Sequence, residues 1–307
     1  MSSILTGVTV TVLGGDDREL ILIPELVRAG ANVKVAGISK LAHNKDVQYC
    51  QRLEDAVRGA GFVVLPMPGI DEAGIIRAKY AREPLVLNQK TMLSLDDNCI
   101  IIVGTARALL KELAAKRGLK LIEIAEVDEV AILNSIPSAE GAVQMAMEAT
   151  DITIHGSTSL ILGFGRCGFT LARLLAAMGA DTSVVARKPA DLARAREMGL
   201  HPLTYPQLPE CIGNADIIFN TVPALVLDRA LLQKTNPAVY ICDIASAPGG
   251  VDFVAASELG RFARLAPGLP GMVAPKTAVL ILAKVIPDII LHELTNTSSK
   301  TLDRDLR

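Results

Sequence analysis

The 307-residue sequence contains no tryptophan, and its four tyrosines and six phenylalanines make up only 3% of the chain. Its formal net charge of -2 provides no basic field that would attract nucleic acid or an anionic membrane surface. The scarcity of aromatic rings also leaves few platforms on which bases could stack. Neither nucleic acid nor a membrane is therefore expected as a partner.

Cysteine is sparse, odd in number and irregularly spaced. No CxxC pair or Cys/His cluster has the spacing of metal ligands, so no metal site is predicted. The thiols are expected to be small apolar fillers in a reducing cytoplasm. The five residues are Cys50, Cys99, Cys167, Cys211 and Cys242.

Targeting and membrane segments are also missing. The first residues, MSSILTGVTVTVLGGDD, lack the charged and apolar regions of a signal peptide. The most apolar stretch, residues 272–291, contains Lys276, Lys284 and Asp288 together with two prolines. Charges and prolines at these positions favour a buried helix over a membrane span.

Aliphatic residues are abundant, and half of the chain is hydrophobic. Strand-like and helix-like segments alternate, which predicts an α/β fold of two Rossmann-like lobes with parallel, doubly wound sheets. The predicted strands of the first lobe are 8–13, 32–37, 62–66, 99–104 and 119–124. Those of the second lobe are 159–163, 181–186, 216–220, 239–243 and 262–266.

The predicted domain boundaries follow this alternation. The first lobe is assigned to residues 1–137, a linker helix to 138–150, a dinucleotide-binding domain to 151–271 and a C-terminal segment to 272–307. Pro137 is expected near the start of the linker helix. The last helix, from about Val273 to Leu294, is expected to cross back to the first lobe, followed by a frayed tail. Ligands of such proteins bind in the cleft between lobes, so the site is expected there.

A glycine fingerprint, GFGRCG, follows the first strand of the second lobe. Gly163, Gly165 and Gly168 form GxGxxG between an apolar strand and a helix pattern, the context that dinucleotide binding requires. The first glycine permits the turn, the second lets backbone N–H groups approach the pyrophosphate, and the third lets helix and sheet pack closely. Arg166 and Cys167 lie inside the fingerprint and are included among the candidate cofactor contacts.

The residues after the second strand indicate which dinucleotide is bound. An NAD enzyme usually has Asp or Glu there for the ribose hydroxyls, whereas this strand ends in VVARK. Arg187 and Lys188 suit a 2′-phosphate, so NADP is predicted, with NAD still possible. Alternatively, Arg187 stacks on adenine, or both cations are solvated surface charges.

Two further loops follow strands of the second lobe. Residues 220–224, NTVPA, are expected to pass the cofactor ribose, and residues 243–250, DIASAPGG, to approach the nicotinamide. Both could also be ordinary loops. The candidate cofactor contacts in them are Asn220, Thr221, Val222, Pro223, Ala245 and Ser246.

The turn GGDDRE at residues 14–19 in the first lobe is no phosphate loop, because Asp16 and Asp17 would repel phosphate. Asp16 and Glu19 fit a helix capping box. Arg18 is a cation that could face the cleft, unless it pairs with Asp17 or Glu19 on the surface.

The Gly/Pro-rich segment at residues 266–278 presents Lys276 and Thr277 at a helix start. His155 precedes the fingerprint strand and so lies at its amino end, where a structural role is expected.

Six motifs in this order resemble the A subunits of dipicolinate synthases, and the resemblance runs from about residue 5 to 295. Ala247 departs from the family, in which a bulkier polar or charged residue can stand there, so no catalytic role is assigned to it. The motifs are TVLGGDDRE, NSIPSAEG, TDITIHGS, LGFGRCG, DIASAPGGVDF and APGLPGMVAPKTA.

The resemblance implies an oxidoreductase that converts dihydrodipicolinate, made in the lysine pathway, to the pyridine-2,6-dicarboxylate of bacterial spores. It implies a partner, a flavoprotein-like B subunit, and the mother-cell cytoplasm as location, and an oligomer is expected. Asp16, Arg18, Lys276 and Thr277 become the candidate substrate contacts. No general base is evident, and Ser246 or Thr277 could relay the proton.

Two other functions fit the residues. One is another two-lobed dehydrogenase, of the alanine or 2-hydroxy-acid kind. The other is a module that senses NADP without catalysis and regulates a partner.

Overall fold

The computed structural model describes residues 4–41 and 44–305, with side chains up to residue 296. The chain forms two compact units. Unit 1 combines Met1–Val130 with Val279–Arg307, and unit 2 is Ala131–Ala278. The final segment therefore groups with the first unit.

Unit 1 is built around a parallel six-stranded sheet in the order β3-β2-β1-β4-β7-β8, beside a separate antiparallel pair, β5-β6. The eight strands are β1 Thr9–Leu13, β2 Asn32–Ala36, β3 Val47–Tyr49, β4 Phe62–Val64, β5 Ile75–Ile76, β6 Leu85–Val86, β7 Ile100–Val103 and β8 Lys120–Glu123. The helices between them are α1 Glu19–Arg28, α2 Leu53–Val57, α3 Gln89–Leu93 and α4 Ala108–Lys116. Helix α5, Asp128–Ala149, leads into unit 2.

Unit 2 repeats the same order with its own six parallel strands, β11-β10-β9-β12-β13-β14. The strands are β9 Thr158–Leu162, β10 Asp181–Val185, β11 His201–Leu203, β12 Ile217–Asn220, β13 Tyr240–Asp243 and β14 Phe262–Leu265. The helices are α6 Arg166–Ala177, α7 Pro189–Glu197, α8 Leu208–Cys211, α9 Arg229–Leu232, α10 Phe253–Glu258 and α11 Leu269–Val273, and α12, Pro275–Asp305, leads back to unit 1.

Alternate residues of each central strand of unit 2 enter opposite apolar layers. Ile161 packs in the layer that contains Leu171 of α6, whereas Leu160 and Leu162 pack in the layer that contains Leu232 of α9. Both faces of the sheet are thus covered by helices, the arrangement that parallel sheets require. The predicted fold class, two doubly wound parallel sheets, is confirmed.

In both units the first strand lies in the middle and the strand order reverses beside it. In open α/β sheets, ligands bind at the carboxyl ends of the strands at this point of reversal. In unit 2 the reversal falls between β9 and β12, so the loops after these two strands meet there.

Helix α5 begins at Asp128, ten residues before the predicted linker, and Pro137 lies inside it. Proline cannot donate the usual helical hydrogen bond. The carbonyl of Leu133, four residues earlier, therefore lacks its usual donor, while Ser135 Oγ donates to Ile132 O (2.6 Å) and Ser138 Oγ to Asn134 O (2.8 Å). The helix nevertheless continues through a residue from which the sequence predicts a helix start.

Helix α12 continues to Asp305 and so extends beyond the predicted end at Leu294. Lys120 Nζ on β8 lies 2.5 Å from Glu293 Oε2 on α12, which joins this helix to the sheet of unit 1. The predicted frayed tail is thus helical as far as it is described, and residues 306 and 307 lie outside the described part. In the part of the chain that the structure describes, no helix has the length and apolarity of a membrane span.

Candidate functional site

The glycine fingerprint forms a tight turn between β9 and α6. Gly163 has a φ of 95°, a conformation that favours glycine, and a Cβ there would lie 2.5 Å from Thr221 Oγ1. At Gly168 a Cβ would lie only 2.2 Å from the carbonyl oxygen of Gly163. Both glycines are therefore required by the fold itself, because helix, turn and neighbouring loop pack directly on them.

Gly165 differs from its two neighbours. It has a φ of -80°, and a Cβ at this position would meet no atom within 4 Å. It immediately precedes helix α6 at the N-cap position, where a glycine has no side chain that could cap the helix. The first N–H groups of an α-helix have no partner within the helix, so a helix start beside open space suits a phosphate. The turn therefore fits the pyrophosphate of a dinucleotide.

Two side chains of the fingerprint have contrasting environments. Arg166 is exposed at the first position of α6, whereas Cys167 is half-buried. Burial raises the pKa of the Cys167 thiol, and the nearby Arg166 opposes this only in part. Cys167 therefore remains a neutral thiol at neutral pH and is not a nucleophile.

Arg187 and Lys188 follow β10, the strand next to β9, and both side chains are exposed. Burial raises the pKa of the Tyr205 phenol and the charge of Arg187 lowers it, which places Arg187 near Tyr205. The acidic residue of this strand, Asp181, lies at its amino end and contacts His201 at 2.9 Å. The carboxyl end of β10 is thus cationic, as the sequence predicts.

Asn220 and Asp243 end the neighbouring strands β12 and β13 and are both fully buried. Asn220 Nδ2 donates to Val222 O (3.0 Å) and to Asp243 Oδ1 (2.8 Å), and Asn220 Oδ1 accepts from Val222 N–H (3.1 Å). The side chain is fully buried among these protein partners, and a contact of this residue with the cofactor stays a prediction. The side chain fixes the loop that follows β12.

Asp243 holds the second loop. Its Oδ1 also accepts from the N–H of Ala245 (3.1 Å) and its Oδ2 from that of Gly250 (2.7 Å). A Cβ at Gly250 would lie 2.5 Å from both Val222 O and Ala224 O, so the two loops pack backbone to backbone. Asp243 itself was not among the predicted site residues, although a carboxylate that ends an apolar strand is a signal for this role.

The remaining candidates in these loops vary in accessibility. Thr221 Oγ1 donates to Leu162 O (2.9 Å), which joins the β12 loop to the end of β9. Thr221 and Val222 are half-buried beside Gly163, Pro223 is exposed, and Ala245 is buried. Ser246 is exposed, and its carbonyl accepts from Gly249 N–H (2.9 Å). Of these residues, Ser246 offers the most accessible hydroxyl.

In unit 1, Arg18 is bound by Asp16 in a two-pronged ion pair. Its Nε and Nη2 each lie 2.9 Å from one oxygen of the Asp16 carboxylate, and burial lowers the pKa of the guanidinium less than this carboxylate raises it. The predicted alternatives, pairing with Asp17 or Glu19, are therefore wrong. Arg18 is 20% exposed and keeps a fixed position at the carboxyl end of β1.

The predicted capping box is only half formed. Glu19 Oε2 accepts from the backbone N–H of Asp16 (2.6 Å), but the Asp16 side chain accepts from the N–H and guanidinium of Arg18. Desolvation raises the pKa of the buried Glu19, although its hydrogen bond from Asp16 opposes the shift. The Asp16 carboxylate accepts hydrogen bonds from the charged guanidinium of Arg18, a stronger donor than the backbone N–H of Glu19 that a capping box would use.

Lys276 and Thr277 lie in the first turn of α12, after Pro275, and both are exposed.

His155 lies at the other end of the unit 2 sheet, where a Cβ at Gly179 would be 2.4 Å from its ring. Its expected placement away from the fingerprint is confirmed. Among the described residues no group of His, Cys, Asp and Glu could hold a metal ion.

Two family models match the chain. That of the N-terminal domain of the dipicolinate synthase A subunit matches residues 9–125, and that of the NAD binding domain of D-isomer specific 2-hydroxyacid dehydrogenases matches residues 135–248. The second match covers the fingerprint and the loops that follow β10 and β12. It supports a nicotinamide cofactor and an oxidoreductase-type role, and leaves NAD and NADP undistinguished.

Whole-chain relatives carry the same family name. The dipicolinate synthase A subunit of Bacillus subtilis (strain 168) is 40% identical over 287 residues, which are 93% of this chain and 97% of the relative. The crystal structure of the Bacillus subtilis protein covers 96% of this chain and 100% of its own, with a TM-score of 0.92 and 38% identity. That of the Bacillus halodurans protein covers 93% and 98%, with a TM-score of 0.89 and 37% identity. The protein therefore belongs to the family of dipicolinate synthase A subunits.

Proposed function

We propose that this chain oxidises a dihydrodipicolinate to pyridine-2,6-dicarboxylate and transfers the hydride to NADP. The observation that carries the proposal is the fingerprint turn, open at Gly165 and followed by the cations Arg187 and Lys188, in a chain of this family. Loss of a hydride and a proton from the dihydro ring gives the aromatic pyridine, so the reaction balances without a further oxidant. Aromatisation supplies much of the driving force.

The preference for NADP is supported by the carboxyl end of β10. Arg187 and Lys188 are exposed there, and Asp181 lies at the amino end of the same strand, away from them. Charge-assisted hydrogen bonds from such cations favour a phosphate over a ribose hydroxyl. A carboxylate that would bind the two ribose hydroxyls of NAD does not occur in the segment from Ala186 to Lys188.

The chain's own residues bind and orient. The N–H groups at the start of α6 and the open space at Gly165 receive the pyrophosphate, and the Asn220–Asp243 pair fixes the two loops beside the turn. When bound, the nicotinamide supplies the hydride acceptor. Ser246, exposed in the loop after β13, is the candidate in unit 2 for holding the proton that leaves the ring, and Thr277 is the other.

The substrate carries two carboxylates, which need fixed donors or cations once they leave water. Arg18 in unit 1 is held in place by Asp16, and Lys276 is exposed at the amino end of α12, where the helix itself favours an anion. We assign Arg18 and Lys276 to carboxylate recognition. Asp16 holds Arg18 in position, and Thr277 lies beside Lys276.

The family name, which designates one of several subunits, implies that the enzyme contains another chain. We propose that this partner is the flavoprotein-like B subunit. The two chains are proposed to act together, and the part that the partner plays in turnover is measured by the assay below.

The test reconstitutes the reaction. Dihydrodipicolinate synthase and its substrates generate the dihydro compound, to which NADP⁺ and this protein are added with and without the B subunit. Dipicolinate and NADPH are then measured together. Formation of both in equal amounts is expected. Tight NADP binding without dipicolinate in either mixture would contradict the proposal and favour a regulatory module that senses NADP.

A further inference from the structure

The turn after β1 occupies the position in unit 1 that the fingerprint turn occupies in unit 2, but it is closed. Gly15 N–H donates to Arg77 O (2.7 Å), and Lys79 N–H donates back to Gly15 O (2.8 Å). A Cβ at Gly14 would lie 2.7 Å from the same Arg77 oxygen. The segment around Arg77 thus lies where a pyrophosphate would approach, so this turn does not suit a second dinucleotide.

The same segment brings several polar side chains to the end of the sheet. Tyr80 is aligned with Ile38 just after β2, and Ser39 Oγ donates to Tyr80 O (2.7 Å). These contacts put Lys79 and Tyr80 beside Asp17, which follows β1. Lys79 Nζ forms an ion pair with Asp17 Oδ2, and the Tyr80 hydroxyl donates to Asp17 Oδ1.

Lys40 completes the group, which we call the Tyr80 cluster and which consists of Lys40, Lys79, Tyr80 and Asp17. Lys40 Nζ lies 3.3 Å from the Tyr80 hydroxyl oxygen and 4.4 Å from the centre of its ring. Lys79 Nζ lies 5.5 Å from the same ring centre. One ammonium group, that of Lys79, and the Tyr80 hydroxyl therefore contact the Asp17 carboxylate, a second ammonium group contacts Tyr80, and the four side chains together carry a positive charge.

The carboxylate inside the cluster is accessible. The Asp17 side chain is 65% exposed and that of Lys79 is 53% exposed. Exposed ion pairs contribute little to stability, so moving Asp17 aside would cost little. The hydrogen bonds from Lys79 and the Tyr80 hydroxyl lower the pKa of Asp17, so these donors favour the charged form of a carboxylate at this position.

A cavity of about 660 Å³ begins at the chain neighbours of the cluster. Ser39 and Ala81, which adjoin Lys40 and Tyr80, line it together with Glu54 and Glu83, whereas none of the four cluster residues lines it. Its volume lies in the range usual for small-molecule sites, about 300–1,000 Å³.

We propose that Lys40, Lys79 and Tyr80 form a binding site for a carboxylate of a small ring dicarboxylic acid, and that Asp17 occupies the place of that carboxylate until the ligand displaces it. The identification of the ligand as such an acid rests on the proposed function. The site itself rests on the arrangement of donors around Asp17. Arg18, on the same turn but bound to Asp16, does not belong to this site, which is additional to the contacts assigned to Arg18 and Lys276.

The test is a calorimetric titration of the full-length protein with pyridine-2,6-dicarboxylate at low ionic strength and without cofactor. Lys79→Met and Tyr80→Phe are each expected to weaken binding by about tenfold or more, since each removes a charge-assisted donor. Asp17→Asn is expected to tighten binding, because the internal competitor loses its charge. Lys116→Met is the matched control, since Lys116 is an exposed lysine paired with Glu112 on α4 of the same unit.

Unchanged affinity in Lys79→Met and Tyr80→Phe, weaker binding in Asp17→Asn, or no binding to the unmodified protein would overturn the site. Thermal unfolding of each variant shows that the fold is retained. A parallel titration with inorganic phosphate tests the ligand class, and equal affinity for phosphate would overturn the carboxylate assignment. Ligand binding that depends on Lys79 without turnover in the reconstituted assay would contradict the proposed function alone. If the unmodified protein turns over and Lys79→Met and Tyr80→Phe bind pyridine-2,6-dicarboxylate with unchanged affinity, the result would contradict this site alone.

Discussion

The side-chain amide of Asn220 donates a hydrogen bond of 2.8 Å to Oδ1 of Asp243, and both side chains are fully buried. The contact follows from the register of the sheet, in which Asn220 lies opposite Asp243 on parallel neighbours β12 and β13. Asp243 also receives the N–H groups of Ala245 and Gly250. One buried carboxylate therefore holds both loops beside the fingerprint turn.

Asp243→Asn is expected to lower the free energy of unfolding by about 2–4 kcal/mol, because the new amide group turns a donor toward N–H groups that need an acceptor. Urea unfolding measures the change. Asp97→Asn is the control, since Asp97 is an exposed carboxylate in an ion pair with Arg117. A variant at Asp243 that is as stable as the control would disprove the role of this carboxylate.

Gly165→Val and Gly168→Ala are expected to fail for different reasons. A Cβ at 165 meets no protein atom within 4 Å, so the Val variant should unfold like the original protein yet lose NADP(H) binding. Alanine at 168 would press on the carbonyl of Gly163, so the fold itself should be destabilised. Thermal unfolding and fluorescence titration with NADPH separate the two effects. Native NADPH affinity in Gly165→Val would show that the open space at this turn is not the pyrophosphate site.

Arg187→Ala is expected to weaken NADPH binding by about tenfold or more and to leave NADH binding nearly unchanged, because a charge-assisted contact contributes about 1.5–3 kcal/mol. Competitive titration with both cofactors gives the ratio. Arg194→Ala serves as the control, since Arg194 is an exposed arginine on α7 that pairs with Glu197. Equal affinity of the unmodified protein for both cofactors would argue against a 2′-phosphate site at Arg187 and Lys188.

Arg18→Ala and Lys276→Ala are each expected to reduce dipicolinate formation by about tenfold or more while NADPH affinity stays within about twofold. Each removes a cation assigned to a substrate carboxylate. Steady-state rates in the reconstituted assay and NADPH titrations give the two quantities. Lys284→Ala provides the control, because Lys284 is an exposed lysine on α12. Turnover at the level of this control in both variants would mean that other residues anchor the substrate.

Apolar runs and glycine spacing are local signals, and they predicted the long central strands and the fingerprint turn. The strands that escaped prediction are short. β3 and β11 have three residues each, and β5 and β6 have two, too few to show a period. Pro137 misled the prediction of helix α5, because proline is typical of a helix start and here lies in a helix interior.

By itself the sequence determined the α/β class, the position of the fingerprint turn and the cationic end of β10, because each depends on residues close together in the chain. The tertiary structure decided which polar groups meet. The register of β12 and β13 brings Asn220 to Asp243. Arg18 forms its ion pair with Asp16 and not with Asp17. Lys79 and Tyr80 reach Asp17 across 62 and 63 residues, respectively. Residues 77–82 are rich in cations, but the sequence does not show which carboxylate they meet. That depends on how this segment folds against the end of β1, because hydrogen bonds between side chains leave no period in the sequence.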